Sequence, residues 1–355
     1  MTRLSRPVSH RAYAITFALI AALTCFALIA LNSLADPLWY FRGNLISGKN
    51  FAFNERESKL NLLLQDPGKY DCLIFGSSRS TLLPADAFAP YHCFNIAFSG
   101  GQIEEFLAFA LYLKNAGLHP RYVVVGVDGF NFLEKGRDAT SIPDHVRNMR
   151  APPSFLKAYL SMDSLLLSAR LLKGDSPLPR FYDRHFDALI SRDAPEFQPE
   201  RSIEGEGIRR ADAAARRKYP YSSNNAQAYA KLAAVFPEAL TAAYVPPISA
   251  WHVADMDRNG VLSGYVESLY QTAAYFPVFI DFSVPSPVTW RIENTYDGSH
   301  YLPEINRTIA QALLAGTPQT WGLTPKNISA KRYRLHYQAA LDQFAQHSAP
   351  PGRTP

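Results

Sequence analysis

Apolar positions follow three different rules along the chain. Residues 12–35 form an uninterrupted run of 24 without a charge, preceded by Arg3, Arg6 and Arg11. About 20 apolar residues span a bilayer's hydrocarbon core as a helix, so this run predicts one transmembrane helix. The basic flank keeps the N-terminus in the cytoplasm and sends the remainder outward. The competing reading is a cleaved signal peptide, since Ser33-Leu34-Ala35 resembles a small-x-small cleavage site. A signal's apolar stretch is about 7–15 residues, shorter than this one, and both readings export the rest. Residues 36–69 follow as a juxtamembrane segment. Trp39, Tyr40 and Phe41 suit the interfacial aromatic belt, and after Asn54 the residues Leu60, Leu63 and Leu64 share a helical face.

From residue 70 the rule changes to short, uniformly apolar runs separated by helical periodicity. Runs at 73–75, 93–98, 122–128, 242–247 and 278–282 read as strands, and 103–116, 265–275 and 304–314 as helices. Val123-Val124-Val125 is too uniformly apolar for anything but a sheet buried on both faces. Strand, helix and strand at this spacing imply right-handed crossovers, hence a parallel five-stranded sheet in an α/β fold. Residues 134–236 obey neither pattern. They show no convincing strand, frequent prolines and short helical stretches at 155–172, 211–218 and 226–235, which predicts a helical insertion over the sheet edge. Within it Arg209-Arg210 and Arg216-Arg217 read as a solvated helix face, with contact to an acidic glycan or lipid headgroups as the alternative. Residues 316–355 are expected to form a tail, frayed at its proline-rich end.

Composition narrows the classes. The chain is 47% hydrophobic with a net charge of +5. Its basic residues are scattered rather than massed among aromatics, which argues against nucleic acid as a partner. Three cysteines are too few for a disulfide scaffold, and their spacing suggests no metal site. No cofactor motif is present. Cys72 and Cys93 each open a predicted strand. They are read equally as a disulfide, in an oxidising compartment, and as two buried thiols.

The chemistry-bearing stretch is Gly76-Ser77-Ser78-Arg79, at the end of the first strand, where ligands sit in a parallel sheet. Alone it reads as a turn. With a helix behind it, a serine hydroxyl and N–H would sit at the helix's open N-terminus, where an oxyanion is stabilised. A serine nucleophile needs a base, and the base needs an acceptor that fixes its tautomer. Of nine histidines, only His300 follows an aspartate, Asp297, at this spacing between a last strand and a last helix. Read as structure only, Asp297-Gly298 is a capped surface turn.

Gly76-Ser77-Ser78-Arg79, Asn95-Ile96-Ala97-Phe98-Ser99-Gly100-Gly101 and Asp297-Gly298-Ser299-His300 together resemble the SGNH (GDSL-type) hydrolases. The similarity is greatest to exported, membrane-anchored members in cell-envelope acyl transfer, including the DltD type. It covers residues 70–130 and 242–314. It implies a flavodoxin-like three-layer sandwich over residues 70–315, with Ser77 as nucleophile, His300 as base and Asp297 as its orienter. The N–H groups of Ser77 and Gly100 would bind the oxyanion. The family's third block, GxND, is replaced by Gly126-Val127-Asp128-Gly129-Phe130-Asn131. Asp128 stands where an asparagine donor is expected, and Asn131 is at the wrong offset. Further candidates for substrate contact are Arg79, Asn95, Asp128, Asn131 and His252. Arg79 otherwise pairs with a neighbouring carboxylate, and His252 otherwise packs in its loop.

The resemblance implies an esterase or O-acyltransferase anchored in the cytoplasmic membrane with its domain in the periplasm. Its substrate would be an acylated envelope or exported polysaccharide, and a multi-spanning membrane acyltransferase is a candidate partner. The rival is a non-catalytic polysaccharide-binding or assembly protein using the same cleft. Phosphate binding at Gly76-Ser77-Ser78-Arg79 is a third reading, which leaves His300 without a role.

Overall fold

A computed structural model describes residues 9–41, 43–51, 53–133, 155–176, 179–191, 198, 221 and 223–348. In chain order the strands are β1 (Cys72–Phe75), β2 (Cys93–Asn95), β3 (Tyr122–Gly126), β4 (Arg180–Tyr182), β5 (Ala188–Ile190), β6 (Leu240–Val245) and β7 (Val278–Asp281). Five of them make one parallel sheet, ordered β2-β1-β3-β6-β7. β4 and β5 form a separate antiparallel hairpin. The first helices are α1 (His10–Ala35), α2 (Glu55–Gln65), α3 (Ile103–Asn115), α4 (Phe155–Tyr159), α5 (Met162–Lys173) and α6 (Ala226–Ala233). After these come α7 (Ala250–Arg258), α8 (Leu262–Ala273), α9 (Pro287–Trp290), α10 (Pro303–Ala315) and α11 (Ala330–Ser348).

Alternate strand residues feed two cores. Leu73, Phe75, Val123, Val125 and Ala243 face a layer that holds side chains of α2, α3, α6, α8 and α11. Ile74, Val124, Ala242 and Tyr244 face the other, filled largely by Ile309, Ala310 and Leu313 of α10. A strand buried on both sides has no polar face to alternate with, which is why these strands read as continuous apolar runs. Cys72 and Cys93 are register partners on β1 and β2, and their sulfurs are bonded, with Cα atoms 4.1 Å apart.

Three expectations are corrected outside the sheet. The segment after α1 is built into the domain: Leu60 and Leu63 are buried in its larger core, and Trp39 is fully buried against Phe186, ring centroids 4.5 Å apart. Of the three belt aromatics only Phe41 is exposed. The stretch after Gly316 contains α11, whose buried Tyr333 and Tyr337 donate to the carboxylate of Asp281 at the end of β7. Burial raises the Asp281 pKa despite those donors, so the two hydroxyls serve a carboxyl that the fold holds away from water. The insertion does contain strands, β4 and β5, and its helices α4 and α5 pack against α1 rather than over the sheet edge. Arg209, Arg210, Arg216 and Arg217 lie outside the described residues.

Candidate active site

The order of strands reverses between β1 and β3, and in open parallel sheets the crevice at such a reversal is where ligands bind. Gly76 and Gly126, at the ends of these two strands, close over the Ser80 side chain. A Cβ on either would collide with Ser80 Oγ. Tyr244 OH donates to that oxygen at 2.9 Å. Small residues are therefore required by close approach, and the chain leaves the sheet through a short 3-10 turn, Ser80–Leu82. No helix follows Gly76-Ser77-Ser78, so the expected helix N-terminus behind the serine is corrected to a three-residue turn.

The serine that meets the base is not the expected one. Ser77 is fully buried. Its carbonyl accepts from the Ser80 N–H at 3.0 Å and its Oγ from the Arg79 N–H at 3.4 Å. Ser78 is only partly buried, and its Oγ lies 2.8 Å from His300 Nε2. The serine set against His300 is thus Ser78, where the motif pointed to Ser77. Two adjacent serines after a glycine carry no sequence signal that separates them. What separates them is the turn, which tucks the first under itself and aims the second across the crevice.

His300 and Asp297 stand in the loop between β7 and α10. His300 Nδ1 is 2.6 Å from Asp297 Oδ2. Asp297 Oδ1 accepts the N–H groups of Ser299 and His300, at 2.9 and 2.8 Å. Burial would raise the Asp297 pKa, but the hydrogen bond from His300 and its charge outweigh it and hold the carboxyl below its ordinary value. The carboxylate is therefore ionised at neutral pH and free to accept a ring N–H. Thr295 Oγ1 accepts from the Asp297 and Gly298 N–H groups, at 3.3 and 3.0 Å, and donates to the His300 carbonyl at 2.9 Å. The Gly298 carbonyl accepts from Ser249 N–H at 3.0 Å, which ties this loop to the one after β6. The His300 ring stacks on Tyr296 at 5.4 Å, the planes 5° apart.

Arg79 Nη1 donates to Asp128 Oδ1 at 2.7 Å and its Nε to Ser299 Oγ at 2.9 Å. It pairs with a carboxylate and also braces the histidine loop. Asp128 is buried, and its Oδ2 has no partner among the described residues. Beside this pair lies a cavity of about 170 Å³, lined by Arg79, Asp128, Phe130, Pro246, His252 and Met256 among others. His252 thus faces the cavity beyond Arg79.

The two asparagines are structural. Asn95 Nδ2 donates to the Ser80 and Leu83 carbonyls, at 2.8 and 2.9 Å, and fixes the turn after Ser78. Asn131 donates to Tyr229 OH at 3.1 Å and accepts the Ile103 N–H at the start of α3, also at 3.1 Å. Gly100 is exposed at a positive φ of 63°. Among the described residues neither its N–H nor that of Ser78 has a hydrogen-bond partner.

A buried charge cluster beneath Ser99 and Gly100 was not legible in the sequence. Glu55 of α2 accepts from Arg180 of β4 at 3.0 Å, from Tyr182 OH and from the Ser99 N–H. Arg180 also donates to Ser99 Oγ. Burial would raise Glu55, but Arg180 and Lys59 outweigh it and hold its pKa below the ordinary value. Lys59 is fully buried, donates to the Ala97 carbonyl at 2.6 Å, and is pushed down to about 7 by burial. Among the described residues no group of three His, Cys, Asp or Glu side chains converges as a metal site would need.

No protein-family model matches the chain, and no curated protein matches it. Its class therefore rests on fold and site: an α/β protein with a five-stranded parallel sheet, carrying one N-terminal helix long and apolar enough to cross a membrane.

Proposed function

We propose that the protein is a membrane-anchored serine esterase or O-acyltransferase of SGNH type, with a flavodoxin-like domain acting on acyl esters of an envelope or exported polysaccharide. The observation that carries this reading is the relay Ser78 Oγ, His300 Nε2, His300 Nδ1, Asp297 Oδ2. In it Ser78 Oγ attacks the ester carbonyl while His300 Nε2 takes its proton, and Asp297 steadies the imidazolium. The N–H groups of Ser78 and Gly100 receive the oxyanion. Collapse breaks the ester C–O bond, and His300 returns the proton to the leaving alkoxide. A water or sugar hydroxyl, deprotonated by His300, then attacks the acyl-serine and regenerates Ser78. Arg79 neutralises Asp128 beside the site, so the aspartate in place of the third donor does not oppose the oxyanion.

The polysaccharide substrate follows from the resemblance and the location. The location is supported by α1, by the Cys72–Cys93 disulfide, which suits an oxidising compartment, and by the burial of Asn32, Ala35 and Asp36 in the domain, which favours a retained α1 over a cleaved one. A binding protein without catalysis is the second reading, favoured by Asp128 being a carboxylate and by Asn131 spending its amide on Tyr229 rather than on the crevice.

The test is labelling of the detergent-solubilised full chain with a fluorophosphonate, together with p-nitrophenyl acetate turnover. Wild type and Ser77→Ala should label, and Ser78→Ala should not, with turnover reduced by about 10⁴-fold or more. Wild type that neither labels nor turns over substrate leaves the binding reading in place. Labelling lost in Ser77→Ala but kept in Ser78→Ala returns the nucleophile to Ser77.

A further inference from the structure

The helices α4 and α5 are built inside out for a protein in water. In α5 the buried positions are Ser164, Ser168 and Leu171, whereas Met162, Leu166 and Leu172 are 65%, 61% and 43% exposed. Phe155, Leu156 and Leu160, in and just after α4, are 38%, 52% and 48% exposed. Phe155 meets the Phe41 ring, centroids 5.5 Å apart, and the rest of this face stays open among the described residues. A surface helix in water turns its leucines inward and its serines out. In lipid the preference inverts: small and hydroxyl side chains meet at helix contacts, and leucines face the acyl chains.

The inward face is bolted to α1 by buried polar contacts. Ser168 Oγ donates to Asn32 Oδ1 and Asn32 Nδ2 donates to the Tyr159 carbonyl, both at 2.8 Å. Tyr159 OH donates to the Asp36 carboxylate at the end of α1. The polar atoms of Asn32 thus find partners on both helices, which fixes their height relative to α1.

That height matches a bilayer surface. From His10 to Ala27 every α1 residue is exposed, and burial begins at Leu28. The bare stretch measures about 27 Å at about 1.5 Å per residue, close to a hydrocarbon core of about 30 Å. Contacts with α4 and α5 therefore begin where the span leaves the core. The 12 residues of α5 extend about 18 Å, too short to cross. Lys157, Asp163 and Lys173 are exposed on the same hairpin, which sets a shallow seat with charges at headgroup level.

We propose that the α4–α5 hairpin lies in the membrane interface where α1 emerges, its leucine face about 5–10 Å into the lipid, as a second attachment holding the domain against the bilayer. The proposal rests on α1 being a membrane anchor. It makes the lipid surface, rather than a protein partner, the occupant of this face, because the hairpin packs on α1 at the height where the exposed apolar stretch of α1 ends.

The test is spin-label depth measurement on the full chain in phosphatidylethanolamine/phosphatidylglycerol vesicles. On a Cys25→Ser background, nitroxides go on Met162→Cys or Leu166→Cys, with Leu19→Cys of α1 and Arg334→Cys of α11 as controls. The expected result is oxygen collision exceeding that of a water-soluble nickel chelate several-fold at 162 and 166, and more so at 19, with the reverse at 334. Nickel-dominated collision at 162 and 166 with oxygen-dominated collision at 19 overturns the hairpin proposal and keeps the anchor. Nickel-dominated collision at 19 removes the anchor itself. Low accessibility to both reagents at 162 and 166 means that protein, a second copy of this chain, covers the face, and overturns the lipid assignment.

Discussion

Two charge clusters, one around His300 and one beneath Ser99, use similar side chains to opposite ends. In the open one, Asp297, His300 and Arg79 stand at the crevice, and His300 and Asp297 remain partly exposed. In the closed one, Glu55, Arg180 and Lys59 are all at most 5% exposed. A carboxylate next to a cation in a crevice can orient a base and exchange protons with a ligand. The same kind of pair sealed from water cannot reach a ligand, and its role is to fix geometry. Here the sealed cluster fixes the backbone of Ser99, the neighbour of a proposed oxyanion donor.

The comparison breaks first at Asp297. Asp297→Asn keeps the shape of the loop but offers His300 Nδ1 an amide in place of a carboxylate, and turnover of p-nitrophenyl acetate should fall by up to about 10⁴-fold with little change in melting temperature. Fluorophosphonate labelling should slow in parallel. A loss below tenfold would mean that Asp297 only shapes the loop.

Glu55→Gln should show the opposite signature. It leaves Arg180 buried without its counter-charge, a loss of about 3–5 kcal/mol in unfolding free energy, measurable by denaturant titration of the solubilised chain. Activity of the folded fraction should fall by a smaller factor than in Asp297→Asn. If Glu55→Gln cost activity but no stability, the cluster would belong to the site.

The smallest effect concerns Lys59 and appears only as a slope. Its folded pKa is near 7, against about 10.4 in an unfolded chain. Between those values the unfolded chain holds a proton that the folded one has released, so this group makes stability rise with pH above 7. In Lys59→Met that contribution should vanish between pH 7 and 9. An unchanged slope would place the lysine proton elsewhere.

Much of this architecture is legible one-dimensionally. The strands, the helices between them, the apolar N-terminal run and the pairing of Asp297 with His300 depend on periodicity or on neighbours three residues apart. Such features are local, so the chain states them directly. Which serine faces His300 is not local. It depends on Gly76 and Gly126 closing on Ser80 and on the short turn that follows. Nor is the role of Asn131, which looked like a displaced donor but holds the start of α3.

By itself the sequence determined the parallel α/β layering, because a strand buried on both faces must be apolar throughout, and it determined the residue types of the site. Tertiary structure alone decided that Ser78 rather than Ser77 meets His300, that Arg79 is neutralised by Asp128 49 residues away, and that Glu55 meets Arg180 across 125 residues. Charges are paired by distance in space, and a pattern along the chain carries no record of which distant partner cancels the cost of burying each one.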